Sequence, residues 1–354
     1  MFNNSAVISC SPLNTGLGVY SRLLYDLDLF DKLVFFKKSS GSDESGYLDI
    51  VKPKPEVYPL RVFFSAHGRS FWKTSIEKFE RVHLTSPEFF HLVRYNRNMT
   101  GTVHDLQPIG DGISRSAYTY AFRKYMQRNY DAMEMLQGIV TISRVTEKVV
   151  RENFPFLNPV TIHQWTDGSF IRRGRVEARK TLNLDSRKKI LLNVSSAEPR
   201  KNLKILPEIL KLLPEEYIIL HIGSTERSIT GNRRIINIAS VPEKDYPLYF
   251  NASDLLLSPS LQEGFGRPTI EAVNSGVPVV LSDIPVNREI LPQYGYFADA
   301  MSAEDYAEKI ERIMGLNESQ RDGLYSGTGD YYREGRAVSE YRKFFDRVCG
   351  GNST

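Results

Sequence analysis

The sequence predicts an α/β protein of two domains, each a parallel sheet covered by helices. Three observations carry this expectation. Short apolar runs alternate with amphipathic stretches along the whole chain, the pattern of strands buried on both faces between helices. The length, 354 residues, corresponds to about two domains of ordinary size. Several apolar runs lead into glycine-containing loops that open a helix, as at the carboxyl ends of strands in doubly wound sheets.

The elements follow in order. In the first half the candidate strands are 6–10, 33–36, 62–65, 82–84, 101–104, 138–142 and 160–163. In the second half they are 190–194, 217–222, 235–238, 255–257 and 277–281. Residues 37–59, rich in Ser, Gly, Lys and Pro, read as a surface loop. Residues 167–188, polar and basic, read as the end of one domain and the linker into the next. The expected domains are 1–170 and 171–335. No internal repeat is present.

The segment 258–283, SPSLQEGFGRPTIEAVNSGVPVVLSD, is the most informative. The burst Leu255-Leu256-Leu257 ahead of it is a buried strand. Gly264 and Gly266 allow positive φ or close approach of a ligand, and Pro268 suits the first turn of a helix, where its missing amide hydrogen is not needed. The helix runs from about 268 to 275 and stops at Gly276 and Pro278. Its N-terminus, at the carboxyl end of a strand, is a seat for an anion. Glu263 before the loop and Glu271 in the helix can reach different hydroxyls of one extended ligand. Taken alone, such a pair is more often a solvated carboxylate and a complement to the helix dipole, the latter worth about 0.3–1 kcal/mol.

Other segments carry chemistry. Thr15-Gly16-Leu17-Gly18 opens an amphipathic helix after the first strand, but Ser21 occupies the third-glycine position of a dinucleotide fingerprint. Arg200 and Lys201 lie in the loop after strand 190–194, where paired cations can neutralise a diphosphate. His104-Asp105 ends a strand; a lone histidine there is more often structural than catalytic. His67-Gly68 is a weaker candidate, and His83, His91, His163 and His221 read as structural. Asp26-Leu27-Asp28 is the sole Asp-x-Asp spacing and falls within an expected helix, which turns residues two apart by about 200°, so no metal site is expected.

Composition excludes other classes. A net charge of +4 is too mild to argue for nucleic acid, and Cys10 and Cys349 form no metal-type spacing. No apolar run approaches the roughly 18 residues of a membrane span, and MFNNSAVISC lacks the features of a secretory signal, so a cytoplasmic location is expected. Residues 114–130 set Tyr118, Phe122, Tyr125, Met126 and Asn129 along one side of a helix flanked by Arg115, Arg123, Lys124 and Arg128. Two readings stay open: peripheral contact with an anionic surface at the inner membrane, or an amphipathic helix packed on its own sheet.

Glu263, Gly264, Phe265, Gly266, Pro268, Glu271, Ala272, Gly276, Pro278, Val279, Val280 and Ser282-Asp283 together resemble the donor-site signature of the family 4 retaining glycosyltransferases. The resemblance implies the GT-B fold: two Rossmann-like parallel-sheet domains facing a central cleft, with a final helix near 336–354 packing back on the first. It implies donor contacts by Gly16, Gly18, Arg200, Lys201, Val241, Glu263, Gly264, Phe265, Gly266 and Glu271. His104 and Glu263 are the implied catalytic residues, His104 within a His-Asp-Leu-x-Pro run completed by Leu106 and Pro108. Glu271 would hold the nucleoside ribose, Glu263 a sugar hydroxyl, and Lys201 with Arg200 the diphosphate. The loop Ala239-Ser240-Val241-Pro242-Glu243 looks like the one whose backbone reads the nucleobase. This chain departs from the family at Ser195-Ser196, where many members carry Gly-Arg, and at Gln164, Trp165 and Thr166.

The implied activity is metal-independent, retaining transfer of a hexose, with mannose or glucose favoured, from a nucleotide-diphosphate sugar to a glycan, lipid-linked or small-molecule acceptor. No cofactor is implied. The alternatives are a nucleotide-sugar epimerase of the same fold and a non-enzymatic glycan- or nucleotide-binding protein; the broken glycine fingerprint disfavours an NAD-dependent dehydrogenase.

Overall fold

The computed structural model describes residues 4–9, 15–37, 47–51, 76–106, 117–293, 295–325 and 328–349. The chain divides into two compact units, Met1–His163 with Ala337–Thr354, and Gln164–Arg336. The first boundary therefore falls before Gln164, ahead of the 170/171 boundary expected from the sequence.

Among the described residues the first unit holds a seven-stranded sheet in the order β3-β2-β1-β4-β5-β6-β7. Its strands are β1 (Ser5–Ile8), β2 (Lys32–Lys37), β3 (Tyr47–Val51), β4 (Arg81–Leu84), β5 (Met99–Val103), β6 (Gly138–Thr141) and β7 (Val160–Thr161). The second unit holds six strands in the order β10-β9-β8-β11-β12-β13: β8 (Lys189–Val194), β9 (Tyr217–Ile222), β10 (Ile235–Ile238), β11 (Leu255–Ser258), β12 (Val279–Ser282) and β13 (Tyr296–Ala298). All pairings are parallel. Each order reverses once, between β1 and β4 and between β8 and β11, and such switch points are where open α/β sheets bind ligands.

Two strands were not expected. β3 lies inside the 37–59 stretch read as a loop, because Asp49 and the polar flanks hide a five-residue run that pairs with β2. β13 has only three residues and just one of them is buried, so it leaves no apolar run to read. The candidate strand 62–65, and His67, lie outside the described residues.

The first unit's core joins Ile8, Val82, Leu84, Met99, Val103 and Ile139 of the sheet to Phe89 and Phe90 and to Met126, Tyr130 and Met133. The helix Ala117–Asp131 thus faces inward: Met126 and Asn129 are buried, and the Asn129 amide oxygen accepts from the His91 backbone N–H at 3.0 Å. Tyr125 packs on the same core, leaving Lys124 and Arg128 outside. Met126 and Asn129 of the stripe are therefore core contacts. Side chains 117–123 lie outside the described ones. Among the described residues no helix is long and apolar enough to cross a membrane.

The last helix, Glu334–Cys349, buries Tyr341, Phe344 and Phe345 in the first unit, where Phe345 meets Phe30 edge-on at 5.3 Å between ring centres. In the second unit Asp254 ties together the starts of two strands. Its carboxylate accepts from the Ile190 N–H at 2.7 Å, from Arg179 at 2.7 Å and from Arg175 at 2.9 Å. Arg179 is itself buried and also donates to the carbonyls of Ala252, Ser186 and Lys188, so the buried ion pair is fully satisfied.

Candidate functional site

In the second unit the site forms where β8 and β11 part. From β8 the chain runs through Ser195 and Ser196 into a single turn, Pro199–Lys201, closed by Asn202 in the left-handed region at φ 53°. Asparagine tolerates that conformation, and its Nδ2 donates to the Ala300 carbonyl at 2.8 Å. Gly223, after β9, has φ +135°, and a Cβ there would stand 2.0 Å from the Ser195 carbonyl oxygen. Glycine is required at that crossing. From β11 the chain enters the Gly264–Gly266 loop, whose Leu261 N–H donates to the Arg200 carbonyl at 2.7 Å and joins the two loops. Gly266, at φ 87°, sets the left-handed start of the helix Arg267–Asn274, with Pro268 in its first turn.

This geometry brings Arg200, Lys201 and Glu263 together. Lys201 Nζ donates to Glu263 Oε1 at 2.6 Å, and an Arg200 terminal nitrogen donates to Oε2 at 3.3 Å. The same guanidinium donates through Nε to Glu198 at 2.7 Å, and Ser196 Oγ donates to the other Glu198 oxygen at 2.8 Å. Burial works against ionisation of Glu198, yet Ser196 and Arg200 hold its carboxyl below the usual range. Two cations and two carboxylates therefore share one small cluster, with Lys201 and Glu263 mostly covered and Glu198 exposed.

Glu271 sits apart from Glu263, almost fully buried in the helix. Arg267 Nε donates to its Oε1 at 2.9 Å, and the Tyr246 hydroxyl donates to its Oε2 at 3.0 Å. Burial and the Glu271 carboxylate raise the Tyr246 phenol well above its usual range, so it stays a donor. Phe265 is buried and packs edge-on against Tyr332 at 6.0 Å; its ring is structural, and only the backbone of that residue can face a ligand. Val241, half-buried, follows β10 just before the turn Glu243–Asp245.

In the first unit Thr15 caps the helix Gly16–Tyr25, its hydroxyl accepting from the Gly18 N–H at 3.1 Å. Among the described residues a Cβ on Gly16 would meet nothing within 4 Å, whereas Gly18 is buried. The His104 ring donates through Nε2 to the Thr85 carbonyl at 3.0 Å and meets the Tyr20 ring edge-on at 4.7 Å. Burial lowers its pKa to about 4, so the imidazole is neutral near pH 7. Beneath it His83, bonded to Thr100 at 2.7 Å and Thr102 at 2.8 Å, is lowered by burial to about 3. The Tyr20 hydroxyl joins Thr102 at 3.0 Å and also Tyr341 of the last helix.

One expectation needs correction here. The first helix ends at Tyr25, Asp26 is its cap and Asp28 has φ 55°, so helical spacing is not what separates the Asp26/Asp28 pair. Among the described residues no group of three or more His, Cys, Asp or Glu side chains gathers as a metal site would. Sequence reasoning also missed Arg267, Tyr246, Glu198 and Tyr20. Only Arg267 left a signal, its i,i+4 spacing to Glu271.

Residues 174–325 match the family model described as glycosyl transferases group 1. The matched segment lies within the second unit and includes the loop bearing Glu263 and Glu271. The chain is 22% identical over 241 residues to the O-antigen chain mannosyltransferase RfbU of Salmonella typhimurium, covering 64% of each chain. It is 28% identical over 196 residues to O-antigen chain mannosyltransferase B of Escherichia coli, covering 50% of this chain and 51% of that one. The chain thus spans less than two thirds of the length of these relatives. Its fold matches the crystal structure of Anabaena Alr3699/HepE in complex with UDP and glucose, with a TM-score of 0.75 at 13% identity over 97% of this chain and 99% of that one. The GT-B fold expected from the sequence is the fold of this chain.

Proposed function

We propose that the protein is a metal-independent, retaining glycosyltransferase that moves a hexose, mannose before glucose, from a nucleoside-diphosphate sugar to a glycan or lipid-linked acceptor. The observation that carries the reading is the Lys201–Glu263–Arg200 cluster at the switch point of the family-matched unit. Two cations beside a helix N-terminus suit a leaving diphosphate, whose developing charge they neutralise without proton transfer. The preference for mannose rests on the names of the two mannosyltransferase relatives.

Donor binding in this reading shifts Lys201 and Arg200 from the Glu263 carboxylate to phosphate oxygens, freeing Glu263 for a sugar hydroxyl. His104, neutral and anchored on the Thr85 carbonyl, is suited in this reading to act as a hydrogen-bonding group rather than a charge. The acceptor hydroxyl arrives on the face from which the diphosphate departs. Incubation with a panel of UDP-, GDP-, ADP- and dTDP-hexoses, reading release of the diphosphate, tests the proposal. Release from one donor that survives EDTA supports it; release from none, or activity lost to EDTA and restored by manganese, contradicts it.

A further inference from the structure

The Glu271 carboxylate is held on both oxygens by side chains that the nucleotide-sugar reading does not use. Arg267 takes Oε1 through Nε at 2.9 Å, and Tyr246 takes Oε2 through its hydroxyl at 3.0 Å. Both carboxyl oxygens have their strongest donors before any ligand arrives, so Glu271 cannot swing toward one. Its remaining lone pairs point in fixed directions.

Arg267 is the unusual member. Its side chain is 14% exposed, and that of Glu271 3%. Its Nη1 is buried and has no hydrogen-bond partner among the described residues. A guanidinium has five N–H donors in a rigid fork, and once Nε is fixed on Glu271 the direction of Nη1 is fixed as well. Buried charged donors are rarely left unmet, because water is excluded and the lost hydrogen bond is not replaced. The helix on which Arg267 sits begins at the Gly266 turn, beside the loop that carries Glu263.

Resting on the reading of Glu271 as the nucleoside contact, we infer that Arg267 and Tyr246 are positioning residues of the nucleoside subsite, with Arg267 Nη1 donating to an oxygen of the bound nucleotide. That oxygen belongs to a ribose hydroxyl or to the phosphate next to it. Arg267 thus orients the carboxylate with one nitrogen and meets the ligand with another. Lysine cannot do both, since its single ammonium lacks the fork. Tyr246 acts only through Glu271.

Isothermal titration of UDP, GDP, ADP and dTDP, and of the four matching nucleosides, into the full chain tests this with wild type, Arg267→Leu, Arg267→Lys and Tyr246→Phe, each checked for its melting temperature. For the diphosphate that wild type binds, Arg267→Leu is expected to weaken binding by on the order of tenfold or more. Arg267→Lys should recover little of that affinity even where its melting temperature equals that of wild type, and Tyr246→Phe should cost less than either. An equal loss with nucleoside and diphosphate places the acceptor on the ribose; a loss with the diphosphate alone places it on the phosphate. Wild-type affinity in Arg267→Leu, or in Arg267→Lys should the leucine variant not fold, overturns the inference while leaving the donor reading intact. Wild type binding none of the diphosphates overturns both.

Discussion

Lys201 and Arg200 grip Glu263 from two sides, and this contact divides the residues by the step each should affect. In the proposed reading Lys201 meets the diphosphate both in the bound donor and as it leaves, so Lys201→Ala should raise the donor KM about tenfold or more and lower kcat as well. In the same reading Glu263 meets only the sugar, where charge develops, so Glu263→Ala should lower kcat by roughly a hundredfold with little change in the donor KM. Steady-state kinetics on the donor that the panel identifies separates the two, and the reverse pattern would reassign them. The buried histidines set a pH dependence of stability. His83 and His104 are lowered by burial to about 3 and about 4, so between those values and their ordinary value near 6.5 the unfolded chain binds protons that the folded one refuses. Stability should therefore fall as pH drops through that window, and thermal melts from pH 7 to pH 4 should show a shallower fall for His83→Gln than for wild type. At this scale the sequence was partly legible. Glu263, Lys201 and His104 stand in short patterned segments, whereas Tyr246 and Glu198 gain meaning only from what folding brings beside them.

Among the elements, the strongest prediction concerns the Asp254 clasp. Arg179 and Asp254 each have side chains about 8% exposed, so Asp254→Ala leaves a buried guanidinium without its carboxylate. The expected loss is about 3–5 kcal/mol by chemical denaturation. A loss below about 1 kcal/mol would mean that the arginine finds water instead. A second prediction concerns the crossing of the loops after β8 and β9. Gly223→Ala puts a methyl group against the Ser195 carbonyl and should cost about 1–3 kcal/mol while moving the Ser195–Lys201 turn, which weakened diphosphate binding would report. Most strands were legible because parallel strands are continuous apolar runs. β3 was hidden by Asp49 and polar neighbours, β13 by its length. The helix Ala117–Asp131 shows the limit of pattern reading: an aromatic stripe flanked by cations describes a membrane face and a core face equally well, and it is burial that shows Met126, Asn129 and Tyr130 serving the core.

Across the whole molecule, two doubly wound sheets place their chemistry at corresponding points, the carboxyl ends of strands beside each switch in order. The first unit offers the neutral His104 and Gly16, the second the cation–carboxylate cluster. The chain returns to the first unit at its end, where Tyr341 reaches Tyr20 and Phe345 meets Phe30. This architecture was legible because one dense motif, Glu263 to Asp283, stood in the second unit; the exact boundary was not, since the connecting residues carry no apolar period. The proposal that the protein transfers a hexose with retention is checked by proton NMR of the first-formed sugar during turnover of a nucleoside-diphosphate hexose, with water or an added glycan as acceptor. The product is expected in the same anomeric configuration as the donor before any mutarotation; a product first formed in the opposite configuration rules out retention.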